Sequence, residues 1–289
     1  MIQWLFNVLF GIKVGFCSCT PEVRRLGVVR VRSHYRVERL GRLPAVVNES
    51  SGLARRNATS VWTHNDGGGR PTLYAVSLTK PGESTGGTLL DSLALPQLPN
   101  VDWEDLARQD SSRLFVADLG NNANTRRDLT IYSVDATGRT PPESIRVRYA
   151  DQTEFPPQKR NFDCEAIFYR SDSLFLLSKN RSGHTVRLYG LPAKAGSYVL
   201  APLDSVFIKS MVTGAALSPN QKTLAVLTYG KVLFFDLSGQ LSAQPATRLS
   251  RPTGCLRLPR GQTEAITFMT DTELIITNER GRMYRLTRR

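Results

Sequence analysis

What this chain lacks narrows its identity before anything it contains. No apolar run reaches the roughly 18 residues that a membrane-spanning helix needs, which excludes a multi-pass membrane protein. The four cysteines, Cys17, Cys19, Cys164 and Cys255, are scattered and form neither a zinc-ligand cluster nor the framework of a disulfide scaffold. Histidine occurs three times, so a Ser-His-Asp triad would have to use His34, His64 or His184. His34 lies in the basic leader and His184 in a turn, which leaves His64. There is no Gly-x-Ser-x-Gly elbow, and Gly67–Gly69 lacks the Lys and Ser/Thr of a phosphate loop, so it reads as a turn. No long segment carries helical periodicity with a cap at both ends.

Acidic residues are also scarce, at 25 Asp+Glu against 38 Lys+Arg, for a formal charge of +13. The excess is terminal. Residues 1–44 hold eight basic and two acidic residues, and residues 280–289 hold five arginines and no acid. About +2 is left for everything between. A groove tracking phosphates needs basic and aromatic residues converging across a fold, so no nucleic-acid partner is expected. The ends read as a solvated basic edge or a contact with an anionic surface.

Residues 1–19, MIQWLFNVLFGIKVGFCSC, are apolar apart from Lys13 and a few polar positions. They read as an export or lipoprotein signal ending near a cysteine, with Cys19 the lipid-bearing residue because the small Ser18 precedes it. Residues 20–34 then read as a basic leader or linker, and 35–289 as one domain. The expected location is periplasmic or cell-surface, with peripheral or lipid-anchored membrane association and a monomeric state.

Internal repetition decides the fold. Five segments share one shape: ESSGLA (49–54), WEDLA (103–107), DCEAI (163–167), VTGAAL (212–217) and QTEAI (262–266). Their anchors Glu49, Glu104, Glu165, Gly214 and Glu264 are 55, 61, 49 and 50 residues apart. After each comes a polar turn and a short apolar run, such as Leu114–Ala117 or Leu174–Leu177, then a second turn and another run, such as Leu129–Val134 or Val232–Phe235. These runs are too short for helices and are bounded by turn residues, so they are strands. A weaker fourth strand precedes the next anchor. The pattern predicts an all-β chain forming a single β-propeller of four-stranded blades. Five anchors give five blades; six would follow if residues 20–48 and an insertion contributed more. The last blade has no room for its fourth strand, and Tyr35–Val47 has no blade of its own. The two should pair and close the ring.

Blade geometry places the start of each inner strand and the end of each second strand on one face. Glu49, Asp66, Glu104, Asp118, Glu165, Glu264 and Glu279 should therefore gather around the axis, with Asn65, Asn121, Asn180 and Asn278 beside them. Oxygens converging from several blades suit a hard cation such as Ca²⁺, and Glu49, Glu104, Asp118, Glu165, Glu264 and Asn278 are its expected ligands. Crowded carboxylates need neutralising, and Lys179, Arg126, Arg127 and Arg181 lie close enough in sequence to contribute. Asn65, Asn121, Lys179, Asn180 and Arg126 are expected to line a ligand site on this face. Asp66, His64 and Glu104 are the candidates for catalytic work on water. Glutamates at strand starts can equally be copied for stability alone, and Trp62 and Trp103 should pack between blades. Cys164 should turn into a blade interface.

The strings WTHNDGGG (62–69), NVDWEDLA (100–107), LFVADLGNNANTRRDLTIY (114–132), NFDCEAIF (161–168) and VTGAALSP (212–219) carry a resemblance. Over residues 46–286 the chain resembles a family of uncharacterised bacterial exported β-propeller proteins with WTHND, DWED and GNN signatures. More distantly, its blade openings are similar to phytase-like esterase and gluconolactonase or paraoxonase-type propellers. The resemblance implies axial acidic and amide residues holding Ca²⁺ and hydrolysis of phosphoesters or lactones. The positions matching by placement are Glu49, Glu104, Glu165 and Glu264, with Asp66, Asp118 and Asn278. Blade four departs, with Thr213-Gly214 in place of a carboxylate. Two readings follow: a cation-dependent ester or phosphoester hydrolase, and a non-catalytic module binding a small molecule, glycan or protein.

Overall fold

The computed structural model describes residues 18–78, 87–239, 249, 251–259 and 261–289. Five sheets form five blades around an axis, and the ring closes as a five-bladed β-propeller. Blade I comprises Ser50–Arg55, Ser60–Asn65, Thr72–Ser77 and Leu89–Ala94; blade II comprises Trp103–Arg108, Arg113–Asp118, Thr130–Asp135 and Glu143–Tyr149. Blade III holds Cys164–Arg170, Ser173–Ser178, Thr185–Pro192 and Asp204–Phe207, and blade IV holds Val212–Leu217, Thr223–Thr228, Lys231–Asp236 and Gly254–Arg257. Blade V is built from both ends of the chain. Its strands Thr263–Thr270, Glu273–Asn278 and Arg282–Arg288 are completed by Tyr35–Arg42, antiparallel to Arg282–Arg288. The expected closure is thus present, and the ring has five blades, not six.

The burial of each strand follows from its place in a blade. Inner and second strands are covered on both faces by neighbouring blades, so nearly every position is buried instead of alternating, and the second strands carry continuous apolar runs. The outer strand Glu143–Tyr149 does alternate, burying Ile145, Val147 and Tyr149 and exposing Arg146 and Arg148. Between each pair of adjacent blades lies one apolar cluster, five in all. Trp62 and Trp103 belong to the cluster between blades I and II, as expected for interblade packing. Cys164 is fully buried between blades II and III, where burial pushes its thiol up to about 12 and leaves it unreactive.

One local feature recurs in all five blades. The inner strand carries a β-bulge at its start, so that one residue has no partner on the second strand: Ser51, Glu104, Glu165, Thr213 and Glu264. A bulge re-aims the extra side chain and sharpens the local twist. This corrects the alignment of the repeats. Glu49 and Gly214 are not the counterparts of Glu104; Ser51 and Thr213 are. Glu49 instead matches Asp102 and Asp163, two residues ahead of the bulge.

The stretch 20–34 is more than a leader. Thr20–Leu26 forms a helix with Pro21 in its first turn and left-handed Gly27 (φ 66°) closing it. Val29–Arg30 adds a parallel strand to the edge of blade IV. A disulfide joins Cys19 to Cys255 on that blade's outer strand. A sulfur in a disulfide cannot carry a thioether-linked lipid, which corrects the assignment of Cys19 as lipid-bearing. Glu22, fully buried, pairs with the fully buried Lys231 at 2.7 Å, and Lys231 also donates to the Ser18 carbonyl at 3.2 Å. Residues 1–17, which hold most of the expected signal and Cys17, lie outside the described residues.

Candidate functional site

Two repeat positions build the axial site. The first is the bulged residue, which supplies Ser51, Glu104, Glu165 and Glu264. The second is the residue just past the second strand, which supplies Asp66, Lys179, Tyr229 and Glu279. Both sets line a cavity of about 390 Å³, together with Asn48, Glu49, Ser50, Asn122 and Arg181. Backbone pairing fixes the junction in the same way in several blades. The carbonyls of Glu49, Asp163 and Gln262 accept from the amides of Asp66, Lys179 and Glu279 at 2.9, 2.7 and 3.1 Å. In blade II the partner of the Asp102 carbonyl is one residue later, Gly120 at 3.1 Å. That slip takes blade II out of the second set, and Asn122 faces the cavity in its stead.

Six carboxylates and two cations line this cavity, and the cations are not shared evenly. Lys179 pairs with Glu165, and Arg181 reaches both Asp163 at 2.5 Å and Glu165 at 3.4 Å. Asp163 is further committed by the Asn121 amide at 2.7 Å. Asp66, Asp102 and Glu104, whose oxygens lie within 4.8 Å of one another, form no ion pair among the described residues. A side chain at Gly120 would collide with the carboxylates of both Asp102 and Glu104, so glycine there permits their approach.

The electrostatic result is a set of acids held above their usual range. Burial, with the neighbouring Asp66 and Asp163 charges, pushes the Asp102 carboxyl up to about 6. Burial first and the same two neighbours second push Glu104 well up. Asp66 is raised by burial, against the lowering effect of the Gly67 amide, which it accepts at 2.6 Å. In blade V, Glu264 and Glu279 sit within hydrogen-bonding reach and both are raised, chiefly by burial. Two carboxylates in that contact titrate as a pair.

The structure brings together only part of the residue set expected from sequence. Glu104, Glu165, Glu264, Asp66 and Lys179 line the cavity, and Glu49 sits exposed at its rim. Asp118 does not face it. It is buried, with Oδ1 accepting Arg126 Nη1 and the Asp102 amide, both at 2.9 Å. Arg126 is consumed by Asp118, Asp128 and the Gly120 carbonyl. Asn278 accepts from the Arg280 and Arg282 amides within its own turn, because a residue at that strand end points into the hairpin. Asn65 ties Glu49 to Val46, Asn121 bonds the Phe162 carbonyl and the Arg126 amide, and Asn180 donates to the Ile208 carbonyl. These amides hold loops together and are absent from the cavity lining. His64 is fully buried against the edge of Trp103, its Nδ1 2.9 Å from the Asn65 carbonyl, and burial pushes it down to about 4. It too is away from the cavity.

Asp102 was not among the expected ligands. Its signal lay in the D-x-E spacing shared by Asp102-Trp103-Glu104 and Asp163-Cys164-Glu165, which becomes readable once the bulge is known to sit on the glutamate.

No protein-family model matches the chain, and no curated protein matches it by sequence. Solved propellers resemble it in shape. A gluconolactonase from Xanthomonas campestris shares 17% identity at a TM-score of 0.47, over 88% of this chain and 90% of its own. A Trichoderma reesei protein of carbohydrate-active enzyme family AA12 shares 9% at 0.49, over 89% and 96%. A Bacteroides thetaiotaomicron protein of unknown function shares 9% at 0.48, over 88% and 76%. Likeness at this level carries nothing about activity.

Proposed function

We propose that the axial cavity binds a divalent cation through Asp66, Asp102 and Glu104, with Ca²⁺ the favoured ion, and that the site serves hydrolysis of an ester or phosphoester. The observation that carries the reading is the uneven pairing. Glu165 and Asp163 have Lys179 and Arg181, whereas Asp66, Asp102 and Glu104 converge with no cation of their own. Ca²⁺ accepts a flexible cage of six to eight oxygens, which three carboxylates and water supply more readily than the strict octahedron of Mg²⁺. A cation held there supplies Lewis acidity toward a phosphoryl or carbonyl oxygen. The raised Glu264–Glu279 pair lines the same cavity, a place for a general acid. His64 is left out of this reading by its burial. The Cys19–Cys255 bond supports an exported protein, since such bonds persist in oxidising compartments.

The test is thermal unfolding in chelator and then in millimolar Ca²⁺ or Mg²⁺, followed by a screen of lactones and phosphoesters. Binding to the folded state alone raises the midpoint by mass action, adding about 3 kcal/mol of stability at a hundredfold excess over Kd. A shift lost in Glu104→Gln, with ester turnover that also disappears, fits the hydrolase. No shift and no metal in the purified protein would leave the non-catalytic module. That second reading draws on Lys179 lying 5.5 Å over the Tyr229 ring in the same cavity, a polar and aromatic pairing suited to a glycan.

A further inference from the structure

The repeat that builds the acidic cavity also builds the opposite mouth of the axial channel. Four residues beyond each bulge the inner strands present Arg55, Arg108, Tyr169, Leu217 and Phe268, one from each blade. All five line a second cavity of about 240 Å³. Between the two lining positions of blade II, Glu104 and Arg108, lies the fully buried Asp105, whose carboxylate accepts the amides of Ile167 and Ala215 inside the ring.

The second rim is split by chemistry. Blades III, IV and V contribute apolar and aromatic surface; blades I and II contribute neighbouring guanidinium groups. Neither Arg55 nor Arg108 forms an ion pair among the described residues. Arg108 Nε donates to the Asp110 carbonyl at 2.6 Å, and Arg55 Nε to the Asn57 carbonyl at 3.4 Å. The Asp110 carboxylate also lines this mouth and offsets part of the Arg108 charge, but it forms no ion pair with either arginine among the described residues. Its Oδ1 accepts the amides of Ser112 and Arg113 and the Ser112 hydroxyl. Arg108 is lowered by burial and then by the Arg55 charge, in keeping with two like charges sharing one mouth. Juxtaposed, half-buried guanidinium groups beside an apolar wall favour an anion that accepts from both, with an apolar body against the wall.

We propose that this mouth is a second ligand site, distinct from the acidic cavity, for a small organic carboxylate or similar anion with an apolar or aromatic body. Arg55 and Arg108 hold the charged end; Tyr169, Leu217 and Phe268 cover the rest. The volume lies below the usual range of drug-sized pockets, which limits the ligand to a small one.

Isothermal titration calorimetry with benzoate, octanoate and 2-naphthoate, each beside its neutral amide, tests the site on the whole protein. Saturable binding of at least one carboxylate is expected, with its amide about tenfold weaker or worse, and weakening as salt rises. Arg55→Gln and Arg108→Gln together should lose that binding, whereas Glu104→Gln should leave it unchanged. If the double variant does not fold, the carboxylate-against-amide ratio of the unaltered protein still decides. Equal binding of amide and carboxylate overturns the proposal. So does no saturable binding of any of the three, or binding lost on Lys179→Gln instead, which would place it in the acidic cavity.

Discussion

The carboxylate of Asp105 in blade II accepts the backbone amide of Ala215 in blade IV, two blades away, at 3.2 Å. The same oxygen takes the Ile167 amide of blade III at 2.9 Å, and the other takes the Leu106 amide at 2.8 Å. Blades II and IV are not neighbours, so this bond can be made only inside the ring, and one side chain ties three inner strands together. Burial raises the carboxyl well above its ordinary range despite the three amides. Asp105→Ala removes every acceptor and strands three buried N–H groups. The expected cost is roughly 3 kcal/mol or more, read as a fall in the denaturant midpoint. Asp105→Asn should fall between, since its amide nitrogen faces a donor whichever way it turns.

Glu104 and Glu165 occupy the same repeat position but should respond in opposite directions to neutralisation. Glu104→Gln removes a buried carboxyl whose ionisation is disfavoured and which has no ion pair among the described residues, so without added metal the protein should be as stable as before or more so. Glu165→Gln leaves Lys179 buried without its carboxylate and should destabilise by about 3 kcal/mol. Paired thermal melts in chelator read the difference. Equal losses in both variants would mean that Glu104 also has a partner.

The raised acids set a pH dependence with a definite sign. A carboxyl whose pKa is higher folded than unfolded contributes stability that is present below its unfolded value and lost as pH rises through its folded value. For Asp102 that window runs from 3.8 to about 6, and Asp66, Glu104, Glu264 and Glu279 act in the same direction. In chelator, these groups should lower the unfolding midpoint as pH rises through that window. Millimolar Ca²⁺ should restore stability most above about pH 6, where protons no longer compete for the same oxygens. A Ca²⁺ effect that is largest at acid pH would contradict the assigned ligands.

The buried pair Glu22–Lys231 fastens the N-terminal helix to blade IV. Glu22→Gln removes the carboxylate that pairs with Lys231 in a site with no exposure. A loss of about 3–5 kcal/mol is expected, with early proteolysis near residues 20–34 as its local signature. Glu22→Gln together with Lys231→Met should recover much of the loss. Peptide mapping without reductant should also recover residues 19 and 255 in one cross-linked species.

Much of the fold was legible because its signals are local. Short apolar runs between turns, such as Leu174–Leu177 and Leu224–Leu227, mark strands wherever they lie, and their recurrence with one anchor per unit yields five blades. The closure of blade V was legible from what was missing, a fourth strand at one end and a blade for Tyr35–Val47 at the other, of which Tyr35–Arg42 forms the strand. The site was less so. Aligning Glu49 with Glu104 is natural in one dimension, since both are glutamates opening a blade, but strand pairing puts the bulge of blade I on Ser51, two residues later, and only the bulged residue is re-aimed into the cavity. Asp118, Asn121, Asn180 and Asn278 sit at the right strand ends, yet each has a nearer backbone or arginine partner that takes its oxygen or amide away from the axis.

By itself, then, the sequence determined an all-β ring of repeating blades, the terminal strand pairing, and a concentration of acids at the blade openings. These depend on side-chain polarity, turn residues and spacing, which the chain carries in its own order. Only the tertiary structure decided which acids meet. It brought Glu104 within reach of both Asp66–Asp102 and Asp163–Glu165, gave ion partners to Asp163 and Glu165, sent Asp105 across the ring, and joined Cys19 to Cys255 over 236 residues. Ion pairing and hydrogen bonding depend on separations of a few ångströms between residues far apart in the chain, and those distances exist only once the blades have closed.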